Sequence, residues 1–162
     1  MKYFVGCETN ADVKKRFREL CKELHPDCGG DAKLFAEMMG EYEKAFEMCK
    51  NFTRYTDGTI HEKKTNETAA EYAKAYEAIM HIPGIVIELC GTWLWVSGNT
   101  KDCKDILKGA GFMWSPNKKM WSWHSPNEVR IGKHKAWTMK QIYDCYGRKE
   151  LEKEELKAIA VA

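Results

Sequence analysis

In residues 11–24, ADVKKRFRELCKEL, the apolar positions Val13, Phe17, Leu20, Cys21 and Leu24 recur at three or four residues. That spacing predicts a helix with one buried face. Thr9 or Asn10 is placed to cap its start. Lys14, Arg18 and Lys22 lie four apart and fall on a different face, where they predict a basic stripe. A break follows at Pro26, Gly29 and Gly30. Asp31 is placed to cap a second helix, on which Phe35, Met38, Met39, Tyr42, Phe46 and Cys49 share a face. Two such helices joined by a short loop pack antiparallel, apolar face to apolar face.

Residues 51–66 lose this periodicity and predict a linker turning at Asp57-Gly58. Thr68 and Glu71 have capping-box spacing, so a helix is expected over about 68–81, ended by Pro83-Gly84. The pattern then switches to short β-branched and aromatic runs, GIVIELC and TWLWVSG, which predict two strands. Thr100 is expected to cap a short helix closed by Gly109 and Gly111, and FMWS and KMWSWH flank a turn at Pro116-Asn117. Thr138 and Gln141 repeat the capping spacing before MKQIYDCYG, and RKELEKEELKAIA is expected as a final charged helix. The predicted fold class is α+β: a helical hairpin (1–50), a linker and connecting helix (51–82), a β-β-α-β-β unit (83–147) and a C-terminal helix (148–162).

Aromatic residues in the second half recur two apart: Trp93 and Trp95, Phe112 and Trp114, Trp121 and Trp123. Period two puts each pair on one face of its strand. The three pairs build either one exposed stacking platform for unpaired bases, or an ordinary core, or a mixture in which one Trp or Phe of a pair emerges at the rim. Between Pro83 and Gly147 there are nine Lys/Arg against five Asp/Glu. Lys118 and Lys119 sit at a hairpin tip, and Arg130, Lys133, His134 and Lys135 crowd one loop. Basic loops interleaved with aromatics suit phosphates and bases. Trp93, Trp114, Trp121, Lys118, Lys119, Arg130, Lys133 and Lys135 are therefore the candidate nucleic-acid contacts, with ordinary solubilising lysines as the alternative.

Composition changes this picture little. The chain has 162 residues and a net charge of +2. No apolar run approaches the roughly 20 residues of a membrane span, and MKYFVGCETN does not read as a secretion signal. Seven cysteines without a CxxC pair predict free thiols and a cytoplasmic location. No metal site or cofactor is expected, because ligand types never cluster at finger spacing; His25 and Cys28 are only two candidates. His124 and His134 show no carboxylate or cysteine at a useful spacing, so no catalytic residue and no enzyme activity are expected.

The bend itself reads HPDCGGD. Together, VKKRFRELCKELHPD and GGDAKLFAEMMGEYEKAF resemble a J domain, the module of DnaJ-type co-chaperones. The compact loop is similar to the short form seen in viral, phage and plasmid J proteins. The resemblance covers roughly residues 1–50. It implies that His25, Pro26 and Asp27 contact the ATPase domain of a DnaK-type heat-shock chaperone and stimulate ATP hydrolysis. It also implies that Lys14 and Arg18 meet an acidic surface on that partner. Glu19 stands where many members carry arginine. The stretch TWLWVSGNTKDCKDILKGAGFMWSPNKKMWSWH looks like a short module of phage and mobile-element proteins.

The expected function is that of a J-like adaptor. It would recruit a DnaK-type chaperone to a client held by the C-terminal unit, a nucleic acid or nucleoprotein complex, and the expected partners beside the chaperone are single-stranded DNA or RNA or a host protein complex. The alternative is a phage-encoded inhibitor or nucleic-acid-binding protein whose J-like part is only scaffold, blocking a host complex. No membrane partner is expected, and the sequence leaves the oligomeric state open.

Overall fold

A computed structural model describes residues 1–128 and 137–146, together with the backbone of 149–150. Helix α1 (Asn10–Leu24) opens on a capping box: the Thr9 hydroxyl accepts from the Asp12 N–H, and the Asp12 carboxylate accepts from the Thr9 N–H at 3.1 Å. A single 3-10 turn (Pro26–Cys28) leads to α2 (Ala32–Cys49), capped by Asp31 as expected. The two apolar faces meet, and the rings of Phe17 and Tyr42 stack 4.2 Å apart.

Residues 51–66 are more ordered than a linker. They hold an antiparallel hairpin, β1 (Phe52–Arg54) and β2 (Ile60–Glu62), which turns at Asp57-Gly58. Arg54 ties this hairpin to the start of α1, reaching Glu8 at 2.7 Å and Asp12 at 3.3 Å. Helix α3 (Ala69–Ile79) begins on the Thr68–Glu71 capping box and stops short of Pro83.

A five-stranded antiparallel sheet follows, in the order β5-β6-β4-β3-β7. Its members are β3 (Ile85–Cys90), β4 (Trp93–Gly98), β5 (Met113–Ser115), β6 (Met120–Trp123) and β7 (Lys149–Glu150). Helix α4 (Lys104–Gly109) lies between β4 and β5, and α5 (Met139–Tyr146) precedes β7. The fold class is α+β, with the β-β-α-β-β order that the pattern predicts. Two local expectations fail. Thr100 does not cap α4; that helix starts after Cys103, and the Thr100 carbonyl accepts the Cys103 N–H at 3.3 Å. Residues 149–150 are a strand and not the start of a helix. They pair Lys149 with Leu89 and Glu150 with Glu88, which satisfies backbone groups on the outer side of β3. Residues 151–162 lie outside the described residues.

The two sheet faces have different partners. Ile85, Ile87, Leu89, Leu94, Val96, Trp121 and Trp123 join Phe17, Phe46, Tyr72 and Tyr76 in one core. That core runs across positions 50 and 82, so the hairpin, α3 and the sheet share an interior. The opposite face carries Cys90, Trp95 and Met120, against which Met139, Ile142 and Tyr143 of α5 pack. Among the described residues, no helix is long and apolar enough to cross a membrane.

All seven cysteines are unbridged. Burial pushes the Cys21 thiol up to about 12, so it stays protonated near neutral pH, whereas Cys28 is exposed at the bend. Native alkylation is expected to modify Cys28 first and Cys21 only after denaturation, with peptide mass spectrometry reading the order. Early modification of Cys21 would contradict this placement.

Candidate functional site at the helical bend

Pro26 bars its predecessor from helical backbone. His25 accordingly leaves α1 in an extended conformation (φ −63°, ψ 132°) while its N–H still donates to the Cys21 carbonyl at 3.0 Å. Three further bonds close the turn: Cys28 N–H and Gly30 N–H both donate to the His25 carbonyl, and Gly29 N–H donates to that of Pro26. Both glycines are required. Gly29 has φ 84°, and a Cβ on Gly30 would sit 2.2 Å from the Leu24 carbonyl. The Asp31 carboxylate then accepts from Lys33 N–H at 2.7 Å and Leu34 N–H at 3.2 Å. The bend is therefore over-determined by its own backbone.

This frame fixes the triplet. Nδ1 of His25 accepts from Asp27 N–H at 3.1 Å, and its ring packs edge-on against Phe35 at 4.8 Å. Pro26 is exposed, and the Asp27 side chain is 71% exposed. The Asp27 carboxylate lies 3.7 Å from His25 Nδ1 and 3.8 Å from Nε2 of His81, which follows α3. His81 carries no local signal, because it is far from the triplet along the chain, and only the ending of α3 beside the bend brings it to Asp27.

The basic stripe is not on the surface. Lys14 is fully buried and Arg18 is 2% exposed, so the expectation that both face a chaperone is corrected. The face they occupy is covered by α3 and the sheet. Lys14 Nζ lies 2.6 Å from the buried Glu67 carboxylate and donates to the Thr92 carbonyl at 2.9 Å. It also lies 4.6 Å from the Tyr72 ring centre, and the Arg18 guanidinium lies 4.9 Å from that of Tyr76. Burial pulls the Lys14 pKa below the ordinary lysine value, against the opposing pull of Glu67. Lys22 alone of the stripe is exposed. The residues that bury Lys14 and Arg18, namely Glu67, Tyr72 and Tyr76, all come from the later stretch ETAAEYAKAYEA.

Strand register splits the aromatic pairs between faces, so they do not form one platform. Trp121 and Trp123 point into the helical side and are buried, as is Phe112. Trp121 is thereby corrected from surface contact to core. Trp93 and Trp95 lie on the other face, stacked 5.9 Å apart, with His124 over Trp93 at 4.4 Å. Trp95 is buried and Trp93 half-buried. Trp114 pairs with Trp121 but stands on edge strand β5, where it is 47% exposed. Lys119 is exposed in the β5–β6 turn, while Lys118 is half-buried with Nζ 5.5 Å from the Trp95 ring centre. Asn117, Lys118, Trp137, Thr138 and Met139 line a cavity of about 310 Å³. Arg130, Lys133, His134 and Lys135 lie outside the described residues.

His124 also has a carboxylate partner, contrary to expectation: its Nδ1 lies 3.4 Å from Glu128 and 2.9 Å from the Ser125 carbonyl. A turn at Ser125, whose hydroxyl donates to Glu71 at 2.7 Å, folds the chain back far enough to bring the pair together. No protein-family model matches this chain, no curated protein matches it in sequence, and no solved structure matches its fold.

Proposed function

We propose that the chain is an adaptor of J-domain type, whose α1–α2 hairpin offers His25, Pro26 and Asp27 to a DnaK-type heat-shock chaperone. One observation carries this reading: a rigid bend, held by its own backbone bonds, that exposes Pro26 and Asp27 at the tip of an otherwise packed hairpin. Pre-organised, exposed groups cost little to bind, which is what a recognition loop needs. The buried Lys14 and Arg18 alter the form of this contact. Affinity would rest on the bend, with Lys22 as the stripe's exposed cation, and so would depend less on salt than an interface steered by a basic helix.

Steady-state ATPase assays with the host's DnaK-type chaperone test this. The wild-type chain is expected to stimulate hydrolysis, and His25→Gln to return the rate to its basal value. Thermal melts of both chains check that the fold is intact. Equal stimulation by the two folded chains would remove the proposal.

A second reading is favoured by Trp114, a large exposed ring on edge strand β5, with the exposed Lys119 in the turn that follows that strand. On this reading the sheet edge holds a single-stranded nucleic acid as client, by stacking and phosphate contact.

A further inference from the structure

We propose that His25, Asp27 and His81 form a binding site for a first-row transition-metal dication of the zinc or cobalt type. Each residue offers one ligand atom, and these atoms all lie within 4.8 Å of one another. The Asp27 oxygen sits between the two rings, 3.7 Å from a nitrogen of His25 and 3.8 Å from one of His81. A tetrahedral ion with bonds of about 2.0–2.1 Å holds its ligand atoms roughly 3.3 Å apart. These two edges therefore have roughly 0.5 Å to close, and the edge between the two histidine nitrogens up to about 1.5 Å, which rotation of the exposed His81 side chain can supply. Two imidazoles with one carboxylate suit this class of metal, whereas calcium and magnesium prefer all-oxygen sites.

The ligands rest on well-held supports. His25 is fixed by the turn and by Phe35. His81 follows α3, whose buried face packs into the main core. Asp27 is exposed, so water can fill the fourth position. If the ion takes Nδ1 of His25 it displaces the hydrogen bond from Asp27 N–H. That is one neutral bond, weak beside a metal–nitrogen bond. The triad joins the bend to the end of α3, which no local motif in the sequence does.

Titration of the reduced full chain with zinc chloride by calorimetry, and with cobalt(II) by absorption, tests the site without any chaperone. One equivalent is expected to bind, and cobalt should show d–d bands without the charge-transfer bands of thiolate ligation. His81→Ala and Asp27→Asn should each weaken binding at least about tenfold, since loss of an outer partner alone costs that much. Cys28→Ser should leave it unchanged. Absence of binding in the wild type, unchanged affinity in His81→Ala and Asp27→Asn, or loss of binding in Cys28→Ser would each overturn the proposal. Melting curves establish that the variants are folded; both His81 and Asp27 are exposed, so neither substitution opens the core.

Discussion

Glu67→Gln and Lys14→Met are each expected to lose about 3–5 kcal/mol of folding stability, the usual cost of removing one partner from a buried ion pair. Lys14 and Glu67 lie 2.6 Å apart, with side chains 0% and 3% exposed. Neither substitution changes side-chain volume much, so the loss would come from the charge left behind and not from a cavity. The double variant Lys14→Met/Glu67→Gln is expected to lose less than the sum of the two single losses, because neither charge is then left buried without its partner. Urea unfolding of the four chains gives the coupling free energy directly. Additive losses would mean that solvent reaches the pair.

The same site predicts a pH dependence. Burial already depresses the Lys14 pKa in the folded chain, and Glu67 opposes that shift. Removing Glu67 depresses it further. Between the lowered folded value and the ordinary unfolded value, the unfolded chain holds a proton that the folded chain has lost. Raising the pH through this window therefore favours folding. The deficit of Glu67→Gln should shrink as pH approaches the ordinary lysine value.

This buried cation also marks the limit of what a one-dimensional pattern conveys. The apolar faces of α1 and α2 were legible because helical period and capping residues are local, and both describe contacts within a few residues. Lys14 and Arg18 have that period too, but their fate depends on Glu67, Tyr72 and Tyr76, which belong to a later element. A long cation with an apolar stem can be solvated or can lie under an aromatic ring, and its own neighbours do not distinguish the two. The tryptophan pairs fail for a related reason. Period two says that Trp121 and Trp123 share a face, but only the register with β4 and the helices above it decides that this face is the core. The bend was legible as a turn between two helices, whereas its proximity to His81 was not.

Trp123→Ala is expected to lose about 3–5 kcal/mol of stability, the range for truncating a large buried aromatic. Its ring lies in the main core, 6.0 Å from that of Tyr72, and Lys14 Nζ lies 5.8 Å from its centre. Trp121→Ala should behave similarly, since that residue is buried beside it in the same strand. Trp114→Ala should differ in kind. Almost half of that ring already meets water, so its removal should cost on the order of 1 kcal/mol of stability. If the edge of β5 stacks a base, the same change should cost roughly 1–3 kcal/mol of single-stranded oligonucleotide affinity. Lys119→Gln should then reduce the salt slope of binding by up to about 0.7, the contribution of one single-strand phosphate contact. Denaturant melts and oligonucleotide titrations at two or more salt concentrations, run on the same three tryptophan variants, read both quantities. Salt-sensitive binding that Trp114→Ala weakens without a loss of stability would assign the edge to a nucleic-acid client. Wild-type protein that shows no salt-sensitive binding would remove the nucleic-acid reading of this edge.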